Sequence, residues 1–331
     1  MKIRAVIHVM PWEIDHLLLL QNQFKRSSYY LKEDDKLEMD VVLNLSDKLI
    51  DWNESKLDKQ FFIDKYKSTQ YLTDWATCRY TIFEGDEMYG HLDLMKNCIN
   101  DDIKCDAYMS VVPDIHFHET LLFYMFRSMD LIEDDYYWVS PQITKLWDQT
   151  WDPLVHKDFI DIPYEDHRKI DTYESEVSVR NNIDKVKVIK NDKNYKWACW
   201  FDLHSAKLLE LIGIPDSFTG YGPMDSFYAD LMESVRNTKV LPVKILDFNQ
   251  YIIKNEVVSD RWRCIDKRDD DPAPWNHSQD TPLRNFYHKN LKVKDTKNEQ
   301  RKMIMENYQN EAINVINRLI KLYKEKNAKK R

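Results

Sequence analysis

The chain opens with two β-branched apolar runs separated by one helical run, and this order constrains the fold more than any other feature. Residues 3–9 read as a buried strand, 12–31 as a helix entered after Pro11, and 38–45 as a second strand. Strand-helix-strand order favours parallel pairing, so the expected architecture is α/β with a Rossmann-like, mostly parallel central sheet flanked by helices. Leu92, Leu94, Met95, Cys98 and Ile99 give 90–100 the period of an amphipathic helix, and 106–112 predict a further internal strand that ends at Pro113. An apolar helix follows at 121–129. With 331 residues the chain is long enough to bury a substantial core.

Beyond these elements the pattern weakens. Residues 156–194 are charged and read as a peripheral connection with a few short strands. A strand at 197–202, a helix at 205–212, a turn at Pro215 and a helix after Pro223 come next. A mostly non-helical stretch, 240–292, leads to a C-terminal helix from about 298. The expected division is one main domain over 1–292 and a basic helical extension over 293–331.

A net charge of −8 argues against general affinity for nucleic acid, which needs a basic face to displace phosphate counterions. Cys78, Cys98, Cys105, Cys199 and Cys264 are scattered and have no C-x-x-C spacing, so they read as buried thiols in a reducing compartment. The apolar run after Lys2 already contains His8 and Pro11 and does not resemble a signal peptide. These features lead to the expectation of a cytoplasmic protein.

Two blocks carry chemistry. Asp114-Ile115-His116 follows a predicted internal strand, where open α/β sheets place their ligands. In an extended chain the carboxylate and imidazole point to the same side, and together they suit a divalent cation. His116 and His118 also form an H-x-H pair, which fits a metal hydrolase, and His277 or His288 is available as a third ligand to either kind of site. A satisfied surface histidine, in a binding protein without catalysis, is the competing reading.

The second block is Gly220-Tyr221-Gly222-Pro223-Met224-Asp225. Two of the chain's five glycines fall within it, which suggests a close ligand approach or backbone dihedrals that a side chain forbids. Pro223 suits a first helical turn, with Asp225 near the amino end. There the carboxylate can receive a proton from an attacking hydroxyl or simply stabilise the helix.

Together the blocks resemble glycosyltransferases of the GT-A fold. Asp114-Ile115-His116 is similar to the Asp-x-His cation motif of polypeptide N-acetylgalactosaminyltransferases. The block from Trp200-Phe201 to Asp225 looks like the galactosyltransferase-like region that ends in a Gly-aromatic-Gly-x-Glu-Asp pattern, with Met224 where many relatives have Glu. The resemblance spans roughly 1–290. It implies a hexosyl transferase with a nucleotide-sugar-binding half over 1–130 and an acceptor-binding half over 131–292. The donor would be a nucleoside-diphosphate sugar, a UDP-sugar first, and the acceptor a glycan, a lipid-linked sugar or a protein. Mn2+ or Mg2+ would be held by Asp114, His116 and a later histidine, His288 ahead of His277. Asp225 would bind the acceptor hydroxyl or act as its base.

Other residues carry smaller expectations. Arg79 is a candidate for the diphosphate, against an ion-paired alternative, and Trp200 and Tyr221 for lining the acceptor pocket with Gly220 and Gly222. Trp147 and Trp151, at helical spacing, suit a sugar platform or the core. The C-terminal helix has an apolar stripe at Met305, Ala312, Ile316, Leu319, Ile320 and Tyr323 in a basic segment. It is expected to dock on the domain or to contact an anionic membrane peripherally.

Overall fold

The computed structural model describes residues 1–46, 59–70, 76–85, 90–117, 119–130, 136–146, 188–190, 201–215, 228, 231, 244–255 and 297–328. The amino-terminal part alternates β1 (Lys2–Val9), α1 (Ile14–Ser28), β2 (Lys36–Asn44), α2 (Lys59–Ser68), β3 (Thr77–Phe83), α3 (His91–Ile99) and β4 (Ala107–Val111). Then come β5 (Ile115–Phe117), α4 (Leu121–Asp130), β6 (Tyr137–Leu146), β7 (Val188–Lys190), β8 (Phe201–Ser205), α5 (Ala206–Ile212), β9 (Lys244–Asn255) and α6 (Lys297–Ala328).

The nine strands among the described residues join one sheet in the order β3-β2-β1-β4-β8-β6-β9-β5, with β7 beside β9. β1 runs parallel to β2 and β4, β2 parallel to β3, and β6 parallel to β9. β8 is antiparallel to both β4 and β6, so β6 and β9 share the direction of β1 to β4. The result is the expected α/β architecture, a mostly parallel sheet flanked by helices and followed by a C-terminal helix. From β1 the chain steps outward to β2 and β3, then returns to place β4 on the opposite side of β1. That reversal makes the carboxyl ends of β1 and β4 the switch point at which sheets of this kind generally form their ligand crevice.

Both faces of β1 are covered, which is why its apolar residues fall on both faces, with Arg4 and His8 buried among them. On one face Ile3, Ala5, Ile7 and Val9 join Met39, Val41 and Leu43 in a core with Leu17, Leu20 and Phe24 of α1 and Leu122, Met125 and Phe126 of α4. On the other, Val6 and Val42 pack against Leu94 and Cys98 of α3. Pro11 opens a 3-10 turn, and Glu13 accepts a hydrogen bond from the Met10 amide (2.9 Å), so α1 starts two residues later than the sequence reading.

Five elements were not anticipated: β5 and β9, which the sequence reading left without a strand, and β3, α2 and β6, for which the reason is visible. β3 is an edge strand whose side chains are exposed or half-buried, so it has no apolar run. α2 buries only Phe62 and Tyr66. β6 carries Pro141 at a register shift between Ser140 and Gln142, a bulge that interrupts the strand signal.

A second core contains Leu92, Tyr108, Trp138, Leu208, Leu209 and Ile212, and α6 closes it with Val315 and Leu319. Arg318 of α6 donates to the carbonyls of Leu211 (3.2 Å) and Ile212 (2.8 Å), the acceptors left at the end of α5. Gly213 follows that helix at φ 70°, in the left-handed region that a side chain resists.

Candidate functional site

Polar residues collect at the carboxyl edge of the sheet. The chain leaves β4 at Val111 and bends through Pro113 and Asp114 into the three-residue β5. Asp114 is fully buried at that bend. His116, the middle residue of β5, is half-buried, while its neighbours Ile115 and Phe117 are buried in the main core. Desolvating a carboxylate is costly, so Asp114 occupies a position where the fold maintains a polar group against a penalty.

The donor set fits a hard or borderline divalent cation. One carboxylate and one imidazole suit an ion that completes its shell with phosphate oxygens and water. Among the described residues no group of three or more His, Cys, Asp and Glu side chains forms a cage. His118, His277 and His288, the further histidines of the sequence reading, lie outside the described residues. So do Asp225, Trp200, Gly220, Tyr221, Gly222, Trp147 and Trp151.

Beside this bend lies a cluster that the sequence reading missed. His8, near the end of β1, has its Nε2 3.2 Å from Asn44 Nδ2 at the end of β2. Asn44 Oδ1 accepts from the Ser46 hydroxyl (2.7 Å) and the Ser46 amide (3.2 Å). The His91 ring, at the start of α3, stands 6.3 Å from that of His8. Its Nε2 is shielded from solvent and has no hydrogen-bond partner among the described residues. Burial, with a smaller contribution from His91, lowers the pKa of His8 to about 3, and burial lowers that of His91 to about 4, so both rings are neutral at pH 7. The available signal was His8 and Asn44 interrupting otherwise apolar strand ends.

Farther along the same edge, Ser110 of β4 pairs in register with Val6 of β1 and with Asp202 of β8. Asp202 and His204 are both buried, but His204 pairs with Tyr108 toward the amino end of β4, its ring 5.6 Å from that of Trp138.

Arg79 is not brought to this edge. Its guanidinium bonds both Asp40 oxygens (2.5 and 3.2 Å) and Glu38 (3.0 Å), as in the ion-paired alternative. It stands four residues before Phe83, the end of β3, a separation of roughly 13 Å at ~3.3 Å per residue. A groove of about 330 Å3 runs beside Arg4, Asp40, Arg79, Cys98 and Asp101. The charges along it are paired with one another, so the carboxyl edge is the better ligand site despite the groove.

No family model matches the chain, and a search of curated proteins finds no match. Among solved structures, similarity extends to S. aureus TarS 1-349, with TM-score 0.46 and 12% identity over 96% of this chain and 81% of that one. The complex of the same protein with UDP gives TM-score 0.43 and 10% identity over 98% and 92%. GalNAc-T7 with UDP, GalNAc and Mn2+ gives TM-score 0.40 and 9% identity over 77% and 44%. The chain spans only 39% of the longer TarS chain. At these values the similarity is distant, and the reading of the site rests on its own geometry.

Proposed function

We propose that the chain transfers a sugar from a nucleoside-diphosphate donor, a UDP-sugar first, to a hydroxyl of a glycan, lipid-linked or protein acceptor. The observation that carries this reading is the buried Asp114 and half-buried His116 just past the carboxyl end of β4, next to β1 in the sheet. In this reading 1–130 form the donor half and 131–292 the acceptor half.

The neutral donors and acceptors around His8, Asn44 and His91 suit the nucleotide. Asp114 and His116, with His288 ahead of His277, would hold Mn2+ or Mg2+. The bound cation would offset the charge that gathers on the diphosphate as the sugar leaves. The acceptor oxygen forms a bond to the anomeric carbon as the bond from that carbon to the diphosphate breaks, and Asp225 takes the acceptor's proton. Trp200, Gly220, Tyr221 and Gly222 would line the acceptor side.

Val315 and Leu319 of α6 face the core, and its exposed Ile313 and Leu322 lie about 180° apart around the helix at 3.6 residues per turn, so they do not share one outward face. Both facts support a docked helix rather than one lying on a membrane. A thermal-shift panel of UDP, GDP, CMP and dTDP, each with and without Mn2+, tests the reading. Stabilisation by one nucleotide that depends on Mn2+ is expected, and its absence for all four would remove the reading.

A further inference from the structure

β5 is short and ends the sheet. Its three residues pair with Lys254, Ile253 and Ile252 of β9 on one side, and no other strand among the described residues pairs with it. An end strand of this length leaves one row of backbone donors and acceptors to be satisfied elsewhere.

The missing neighbour is supplied by one side chain. Gln23 of α1 is buried; its Oε1 accepts from the Phe117 amide (2.7 Å), and its Nε2 donates to the Ile115 carbonyl (3.4 Å). A backbone N–H can only donate and a carbonyl can only accept, so these two bonds fix the orientation of the carboxamide. They engage the groups on either side of His116, as one residue of an adjacent parallel strand would. The next residue, Phe24, meets the Phe117 ring edge-on at 5.3 Å, and the Phe201 ring closes on Phe117 at 4.9 Å. Held at both flanking peptides and at one flanking ring, His116 has little freedom to change its direction.

The geometry points to Gln23 as a positioning residue for the cation site: by standing in for a neighbouring strand, its carboxamide fixes the backbone that carries His116 next to Asp114. The inference rests on the proposed cation role of Asp114 and His116 and adds the group that holds their geometry. Groups that orient ligands from behind typically alter metal affinity by roughly ten- to a hundredfold.

The test is Mn2+ binding in the presence of UDP, read from the loss of the free-ion paramagnetic resonance signal, so that it does not depend on turnover. Gln23→Leu keeps the volume, removes both bonds and is expected to weaken Mn2+ by about tenfold or more. Tyr66→Phe is the control for general destabilisation, because it removes a buried bond to the Val41 carbonyl (2.7 Å) of β2, which does not pair with β5. It should leave Mn2+ affinity unchanged.

Gln23→Glu adds a second readout that serves even if Gln23→Leu does not fold. Its carboxylate can accept from the Phe117 amide but cannot donate to the Ile115 carbonyl until it is protonated. Its deficit in Mn2+ affinity, relative to the unaltered chain at the same pH, should therefore narrow as the pH is lowered. The inference is overturned if Gln23→Leu binds Mn2+ within twofold of the unaltered chain, if Tyr66→Phe loses as much, or if the Gln23→Glu deficit does not depend on pH. Asp114→Ala combined with His116→Ala, run in parallel, keeps the two failures apart. Undiminished Mn2+ binding in that variant removes the cation site itself and the inference with it, whereas loss there beside an unaffected Gln23→Leu removes only the role of Gln23.

Discussion

The two ends of the parallel strands β1, β2 and β3 carry polar groups of opposite character. In the amino half, Arg4 bonds Asp40, Asp101 and the Cys98 carbonyl, Arg79 bonds Asp40 and Glu38, and Lys2 bonds Glu38. Burial opposes the charge of Arg4, but its bonds to Asp101 and Asp40 raise its pKa well above the ordinary arginine value. At the carboxyl ends, His8, Asn44, Ser46 and His91 are neutral, and His91 Nε2 is shielded with no partner among the described residues. The first region spends its charges on itself and ties β1 and β2 to the loop after α3. The second keeps polar groups at a crevice. Charge density is therefore a poor guide to the site in this fold, whereas position along the strand is a good one.

The largest effect expected to sharpen that contrast is acid denaturation through the carboxyl-end histidines. Burial keeps His8 and His91 neutral down to about 3 and 4, while in the unfolded chain they take up protons near the ordinary histidine value of about 6.5. Between those values the unfolded state binds more protons, so stability is retained above about 6.5 and falls as the pH drops toward 4. The slope is on the order of 1 kcal/mol per pH unit for each ring. His204 of β8, lowered to about 3 by burial, adds to it. Urea midpoints measured across this range should show the slope, and His91→Phe should flatten it; an unchanged slope would move the acid sensitivity elsewhere.

Next in size is Asp40→Ala, which leaves the almost fully buried Arg4 short of a counter-charge and is expected to cost about 3 kcal/mol in urea unfolding. UDP affinity of the folded variant should not change, because the network lies away from the crevice. Asn44→Leu breaks the contrast from the other side, with UDP affinity expected to fall about tenfold, or ~1.4 kcal/mol by calorimetry. The smallest effect is that of Arg79→Ala, about 1 kcal/mol of stability or less at a partly exposed ion pair, with UDP binding unaffected. A tenfold loss of UDP affinity there would return Arg79 to the diphosphate.

Much of the sheet was legible because its strands are buried on both faces: the runs of β1 and β2 and the period of α1 leave little choice. Asp114-Ile115-His116 was legible as a motif at a strand end, and in the structure it follows β4, next to β1 in the sheet. Other features depend on contacts between distant segments. Gln23 is one more polar residue in a helix until β5, 92 residues later in the chain, comes to lie beside it. His8 and Asn44 meet only because β1 and β2 pair in a particular register. Arg79 was ambiguous for the same reason, since its partners Asp40 and Glu38 lie on another strand.

The central claim is that Asp114 and His116 make nucleotide binding at the carboxyl edge depend on a cation. Calorimetric titration of UDP with and without Mn2+, for the unaltered chain and for Asp114→Ala combined with His116→Ala, tests it most directly. The account predicts that Mn2+ strengthens UDP binding to the unaltered chain by at least tenfold and leaves the double variant at its metal-free affinity. A double variant that retains the full Mn2+ enhancement, or an unaltered chain that shows none, would contradict it.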